Sequence, residues 1–224
     1  EATLSYFDPS HIQLSNINAK IENSIIAGDT IKSHLKISAT ERCGLQLKDF
    51  TANLKATPKS LELSNLKIAT NKSLIQRSIA LDYASFRDWN HFVQRVKINA
   101  DFNNSIISSD DIAYFAPALK DWKKNITLKG LFTGTIDNLS CNTLEITAGN
   151  ETYLKGDIKI KGLPSIDNAY FDFAASDLSS NYEDAQIIFP SIREFKSPDL
   201  KKLRYLRFKG NFAGTINDFI TNGS

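Results

Sequence analysis

Residues 127–137 read TLKGLFTGTID. Leu128, Gly130, Phe132, Gly134 and Ile136 fall on one parity; Thr127, Lys129, Thr133, Thr135 and Asp137 fall on the other. A period of two sends successive side chains to opposite sides of an extended chain, so the stretch predicts a strand with one apolar and one polar face. The pattern recurs in Leu35, Ile37 and Ala39, in Leu144, Ile146 and Ala148, and in Leu154, Ile158 and Ile160. Strands of this kind build antiparallel sheets that are wetted on one side.

Elsewhere the parity changes midway. Ile12 and Leu14 give way to Ile17, Ala19 and Ile21; Leu45 and Leu47 to Phe50, Ala52 and Leu54; Leu61 and Leu63 to Leu66 and Ile68. Each switch is either a bulge, which coils a sheet, or a tight turn between two strands. Three stretches break the alternation and predict short helices. Ser85 and Asp88 stand at capping-box spacing before Phe86, Trp89, Phe92 and Val96. Ile112, Phe115 and Leu119 follow Ser109 until Pro117 disturbs the turn, and a third stretch runs from Ser180 to Pro190.

The chain also resembles itself. Residues 129–139 (KGLFTGTIDNL) match residues 209–219 (KGNFAGTINDF) in the pattern K-G-x-F-x-G-T-I. Upstream, residues 100–117 resemble residues 171–190, with Phe102 set against Phe173 and Pro117 against Pro190. A fainter echo pairs residues 64–83 with 142–163. Each unit has one apolar sheet face and too few residues to close over it, so units stack into one long apolar surface. The approximate units are 1–95, 96–168 and 169–224 of one elongated segment. Gly130, Gly134, Gly210 and Gly214 lie on the apolar parity, where glycine relieves crowding at a bend or leaves room for a bound chain.

Composition bounds the classes. The 224 residues are 42% hydrophobic and 23% charged, with formal net charge +2. This is enough apolar content for a core, and too balanced a charge for a nucleic-acid binder driven by bulk charge. Two cysteines exclude a disulfide-dense scaffold. Cys43 and Cys141 sit in different units, and a bridge between them is one option in an oxidising compartment. With no Met anywhere, even at position 1, the chain reads as a fragment or a processed product. Ile, Lys and Asn abound while Val occurs only at positions 93 and 96, which hints at an AT-rich genome.

Catalytic constellations are missing from the sequence. His11, His34 and His91 fit no metal-ligand spacing, and neither Cys belongs to a CxxC pair. There is no nucleophile elbow, P-loop or dinucleotide fingerprint. Asp110 and Asp111 form a carboxylate pair, which a helix N-terminus favours on structural grounds alone. The reading is therefore of a non-enzyme with no cofactor and no metal.

The segments ERCGLQLKDF (41–50), LSNLKIATNKSLI (63–75), SSDDIAYFAP (108–117), KGLFTGTIDNL, GDIKIKGLP (156–164) and LRFKGNFAGTINDF (206–219) together resemble the large TamB proteins of Bacteroidota, the AsmA-like translocation and assembly module family. The resemblance runs from about residue 10 to the end, and the order of the blocks is more specific than any one of them. It implies a β-groove or β-taco: a mainly β, elongated, curled antiparallel sheet with short capping helices and an apolar interior. It also implies a periplasmic location, an inner-membrane anchor N-terminal to this segment, and an outer-membrane partner of the Omp85 class engaged through a C-terminal domain beyond it. The implied work is outer-membrane biogenesis, by assembly of outer-membrane proteins or passage of phospholipid.

The leading expectation is a groove that takes phospholipid or acyl chains, with no nucleic acid involved. Its candidate lining is Leu35, Ile37, Leu128, Phe132, Ile136, Leu144, Ile146, Ile158, Ile160, Phe208, Phe212 and Ile216, any of which could equally be plain core. Each buried CH₂ of a guest is worth about 0.8 kcal/mol, so such a groove needs no polar constellation. A second expectation is a scaffold or chaperone for outer-membrane protein assembly that carries no lipid. A third is a carbohydrate-binding module using Trp122, Tyr153 or Tyr170, which two Trp in the whole chain argue against.

Overall fold

A computed structural model describes residues 5–8, 11–115, 117, 120, 124–165, 168–184, 204–215 and 218–224. The alternating segments form β1 (Leu14–Ala27), β2 (Thr30–Glu41), β3 (Gln46–Ala56), β4 (Ser60–Ala69), β5 (Leu74–Asp82) and β6 (Lys97–Ser108). They continue as β7 (Asn125–Thr135), β8 (Asn138–Ala148), β9 (Thr152–Lys161), β10 (Tyr170–Ser180), β11 (Leu206–Gly214) and β12 (Phe219–Gly223). All twelve belong to one sheet in sequence order, each antiparallel to the next. The sheet is open, since β1 and β12 each pair on one side only. The mainly β reading with a single antiparallel sheet and short helices therefore holds.

All three parity switches are bulges inside strands, and none is a turn. The register slips between Ser15 and Asn18 on β1, between Leu47 and Phe50 on β3, and between Ser64 and Leu66 on β4. Asn supplies the irregular residue at several slips: Asn16, Asn23, Asn65 and Asn104 have φ of 49 to 53°. Its short polar side chain tolerates the left-handed region better than most. The residue after the bulge turns inward. Leu66 is buried after Asn65, Leu144 after Thr143 (φ 60°), and Ser105 after Asn104. Ser105 Oγ then accepts the Gln76 N–H at 3.0 Å.

The first predicted helix is a 3₁₀ turn over Phe86–His91 followed by one α turn, α1 (Phe92–Arg95). Asp88 reaches back to the N–H groups of Ala84 (2.8 Å) and Ser85 (3.2 Å). The segment sits at the strand ends, where the Asp137 N–H in the β7–β8 turn donates to Val93 O. The second, α2 (Ser109–Ile112), is shorter than predicted: Phe115 is exposed and packs on the Phe7 ring, and Leu119 lies outside the described residues. Of the third, 180–184 is described, with a single helical turn over 182–184, and the rest lies outside the described residues. Among the described residues no helix is long and apolar enough to cross a membrane.

Strand register revises the alignment of the internal repeat. Gly130 of β7 stands opposite Phe102, and its counterpart Gly210 of β11 stands opposite Ala175. Phe102 therefore matches Ala175, and Ala100 matches Phe173. The pairing of Phe102 with Phe173 is two residues out, because both are Phe on the same parity and sequence cannot tell such a slip from identity. The bulges agree with the corrected alignment, falling between Phe102 and Ser105 in one block and between Ala175 and Leu178 in the other.

The same alignment matches Asp111 with Asp184, and the two do the same work. Asp111 Oδ2 accepts the N–H groups of Lys72 and Ser73 and the hydroxyl of Thr70, closing the β4–β5 turn. Asp184 Oδ2 accepts the N–H groups of Asn150, Glu151 and Thr152, closing the β8–β9 turn. Each carboxylate satisfies backbone donors that a tight turn leaves unpaired.

Candidate functional site

Residues paired across antiparallel strands share a face, so the register itself traces the apolar surface. One row starts at the β1 edge with Ile26 and runs through Ile31, Ala56, Leu61, Leu81 and Ile98. It continues through Gly134, Leu139, Ile160, Phe171, Gly214 and Phe219 on β12. Every strand contributes one residue and none is polar. A second row on the same face runs Leu54, Leu63, Ile79, Ala100 and Phe132, then Cys141, Ile158, Phe173 and Phe212. A third, beyond the bulges, joins Leu128, Ile146, Leu154, Leu178 and Phe208. Eleven steps of roughly 4.8 Å make the first row about 53 Å long.

The two halves of this face differ. From β6 to β11 it is a packed cluster, with Leu128, Cys141, Leu144, Phe173 and Ala175 buried and Phe102, Phe132, Phe208 and Phe212 packed against them. The glycines here stand where a side chain would meet the protein's own atoms. A Cβ on Gly156 would stand 3.0 Å from Phe173 Cε2, and one on Gly210 2.9 Å from Phe208 Cζ. Neighbouring backbone stands closer still, Ala174 O at 2.2 Å and Asn222 O at 2.3 Å, so glycine on the apolar parity relieves crowding within the protein in this half. From β2 to β5 the same face carries half-buried aliphatic side chains, Leu54, Leu63 and Ile79 among them, together with the half-buried Phe50 of β3. At the β1 edge Ile21 and Ile26 are 64% and 76% exposed.

The opposite face is polar. Glu145 lies between Lys129 (3.3 Å) and Lys155 (3.2 Å), and hydrogen bonds from Lys155 and Lys129 hold its carboxyl below the usual range. Lys55–Glu62, Lys67–Asp49 and Arg77–Asp101 are further exposed cross-strand pairs. Such pairs add little stability, but they keep this side wet. A hollow of about 400 Å³ lies mainly on this face, over Glu62, Ser78, Ala80, Asn99, Leu131 and Thr133. Its acids already have partners: Glu62 pairs with Lys55, and Asp101 with Arg77.

Of the twelve predicted lining residues, Leu128, Phe132, Leu144, Ile146, Ile158, Phe208 and Phe212 fall in the one cluster. Ile160 lies in the outer row. Leu35 and Ile37 share the face through Ala52 and Phe50, and reach Ile21 and Ala19 of β1. Ile136 is in the β7–β8 turn and not on the strand face, and Ile216 lies outside the described residues, as does Trp122. Tyr153 is half-buried on β9, and Tyr170 is exposed at the start of β10. On the open half the prediction took only Leu35 and Ile37 of β2, and it missed Leu54, Leu61, Leu63, Ile79 and Leu81 of β3 to β5. The alternation that marks them is present in the sequence, in Leu61 and Leu63 and in Ile79 and Leu81.

Cys43 and Cys141 are both free thiols. Burial pushes the Cys141 thiol up to about 11, which keeps it protonated and unreactive at neutral pH. Among the described residues no group of three His, Cys, Asp or Glu side chains is placed to hold a metal. No known family, curated protein or solved structure matches this chain.

Proposed function

We propose that this chain is a non-enzymatic segment of a TamB or AsmA-like periplasmic protein whose apolar face holds acyl chains of phospholipid and passes them along the sheet. One observation carries the reading: an apolar row crosses all twelve strands without a polar interruption. A row of about 53 Å exceeds the roughly 30 Å hydrocarbon core of a bilayer. One acyl tail occupies about half of that core, so tails can follow one another along the row. In this reading the full-length protein is anchored in the inner membrane and meets an Omp85-class partner through regions beyond these residues.

The second reading is a scaffold for outer-membrane protein assembly that carries no lipid. It draws on the β6–β11 half, where the protein's own rings occupy the face. A binding titration separates the two. Detergent-free protein is mixed with vesicles of phosphatidylethanolamine and phosphatidylglycerol containing a fluorescent phospholipid. The lipid reading expects saturable uptake that falls about tenfold or more in Leu63→Asp and Ile79→Asp variants with unchanged circular dichroism. Absence of uptake by the folded parent protein removes the lipid reading and leaves the scaffold.

A further inference from the structure

The connection between β5 and β6, residues 83–96, carries more than the sheet needs. It begins and ends on buried residues, Tyr83 and Val96, which continue the parity of Leu81 and Ile98. The segment is therefore rooted on the apolar side, at the end of the strands where the outermost apolar row runs. In the repeat the same connection is residues 162–169, between β9 and β10, and Val96 matches the equally buried Ala169. Residues 162–169 read GLPSIDNA, with neither an aromatic ring nor a cation. The fold thus closes this connection without the rings of Phe86, Trp89 and Phe92, and without Arg87, His91 and Arg95.

The added residues form an exposed patch of mixed character. Four rings stand in a chain: Phe86 is 5.6 Å from Tyr83, Tyr83 is 5.5 Å from Trp89, and Trp89 is 5.5 Å from Phe92. Phe86 and Trp89 are nevertheless 68% and 37% exposed. Arg87 and His91 lie beside them in the chain, and Lys59 of the β3–β4 turn accepts the Tyr83 N–H at its backbone O. These three side chains are exposed, and among the described residues none has an acidic partner. Asp88 is committed to the N–H groups of Ala84 and Ser85, with Arg95 at 3.7 Å. Asp82 falls on the polar parity and accepts the Asn99 side chain. Exposed rings beside N–H donors, at the margin of an apolar surface, match the boundary between the acyl chains and the phosphate of a lipid. Aromatic rings favour that depth, and guanidinium and ammonium groups bind phosphate through charge-assisted hydrogen bonds.

We infer that residues 83–96, together with Lys59, form a phospholipid headgroup site at the rim of the apolar face. Arg87, His91 and Lys59 hold the phosphate, and the acyl chain starts against Phe86 and Trp89. From there it runs along Leu81 and Leu61, which neighbour each other in the outermost row, into the open half. The inference rests on the lipid reading above and adds to it where a lipid is held and which way round it lies.

Tryptophan emission tests this. Detergent-free protein is loaded from phospholipid vesicles, separated from them by gel filtration, and its emission is read. Lipids brominated near the glycerol end of the acyl chain should quench the loaded parent more strongly than lipids brominated near the methyl end. Trp89→Phe should lose that difference, and Trp122→Phe should keep it. Arg87→Glu with Lys59→Glu should lower uptake of a fluorescent phospholipid about tenfold or more, and leave uptake of a diacylglycerol with the same fluorescent chain unchanged. Phospholipid uptake without quenching of Trp89 overturns the headgroup site and leaves the lipid reading standing. So does quenching that is strongest from the methyl end, or an equal loss of both lipids in the charge variant. A folded parent that takes up neither lipid overturns both.

Discussion

Gly130 has no space for a side chain, because a Cβ there would stand 2.5 Å from Cys141 Sγ and 3.4 Å from Leu144 Cα. Gly130→Ala must push apart the centre of the β6–β11 cluster, which costs about 1–3 kcal/mol and is read as a lower urea midpoint. Asp111 gives a second test at this scale. Burial raises its pKa, but hydrogen bonds from Thr70, Ser73 and the Lys72 and Ser73 N–H groups outweigh it and hold the carboxyl below its ordinary 3.8. A carboxylate depressed in the folded state stabilises fully above the unfolded value, and that contribution is lost as pH falls through the lower folded value. Stability should therefore fall as the medium is acidified below about pH 4. In Asp111→Asn it should start lower by about 1–3 kcal/mol and fall less steeply, as thermal melts across the acid range would show. The sequence revealed Asp110 and Asp111 as structural acids at a short helix. Their division of labour was hidden, because it depends on a turn some forty residues away: Lys72 pairs with Asp110, and the turn's donors reach Asp111.

At the scale of elements, alternation made most strands legible, since period two needs only local sequence. Leu144 and Leu66 mark where that stopped. Each is turned inward by a left-handed residue just before it, and whether a parity switch is a bulge or a turn is decided by the neighbouring strand. The repeat was legible in its Gly and Phe residues but misaligned by two, because a shift of two keeps every side chain on its own face. Beyond Leu35 and Ile37 the open aliphatic half was overlooked in favour of the Phe-rich half, which holds the buried cluster. Leu144→Ala should accordingly cost about 2–5 kcal/mol in chemical denaturation. Leu63→Ala, at a half-buried position on the open half, should cost less than Leu144→Ala in the same assay. Equal losses would mean that the two halves are packed alike.

At the scale of the whole molecule, twelve strands in sequence order give an open sheet whose apolar rows reach both edges. A domain that folds for its own sake closes such a face with a second layer. The described residues show no second sheet, and the described helical segments make their backbone and capping contacts at strand ends. This geometry suits an extended apolar guest better than a small molecule held by converging polar groups. The most direct test is to purify the chain from bacterial periplasm without detergent, then measure its native mass and extract its lipid. Phospholipid at near-stoichiometric levels, displaced in Leu63→Asp, is the predicted result. A clean apo mass from a cooperatively folded protein would contradict the account, because the apolar face would then be closed to lipid.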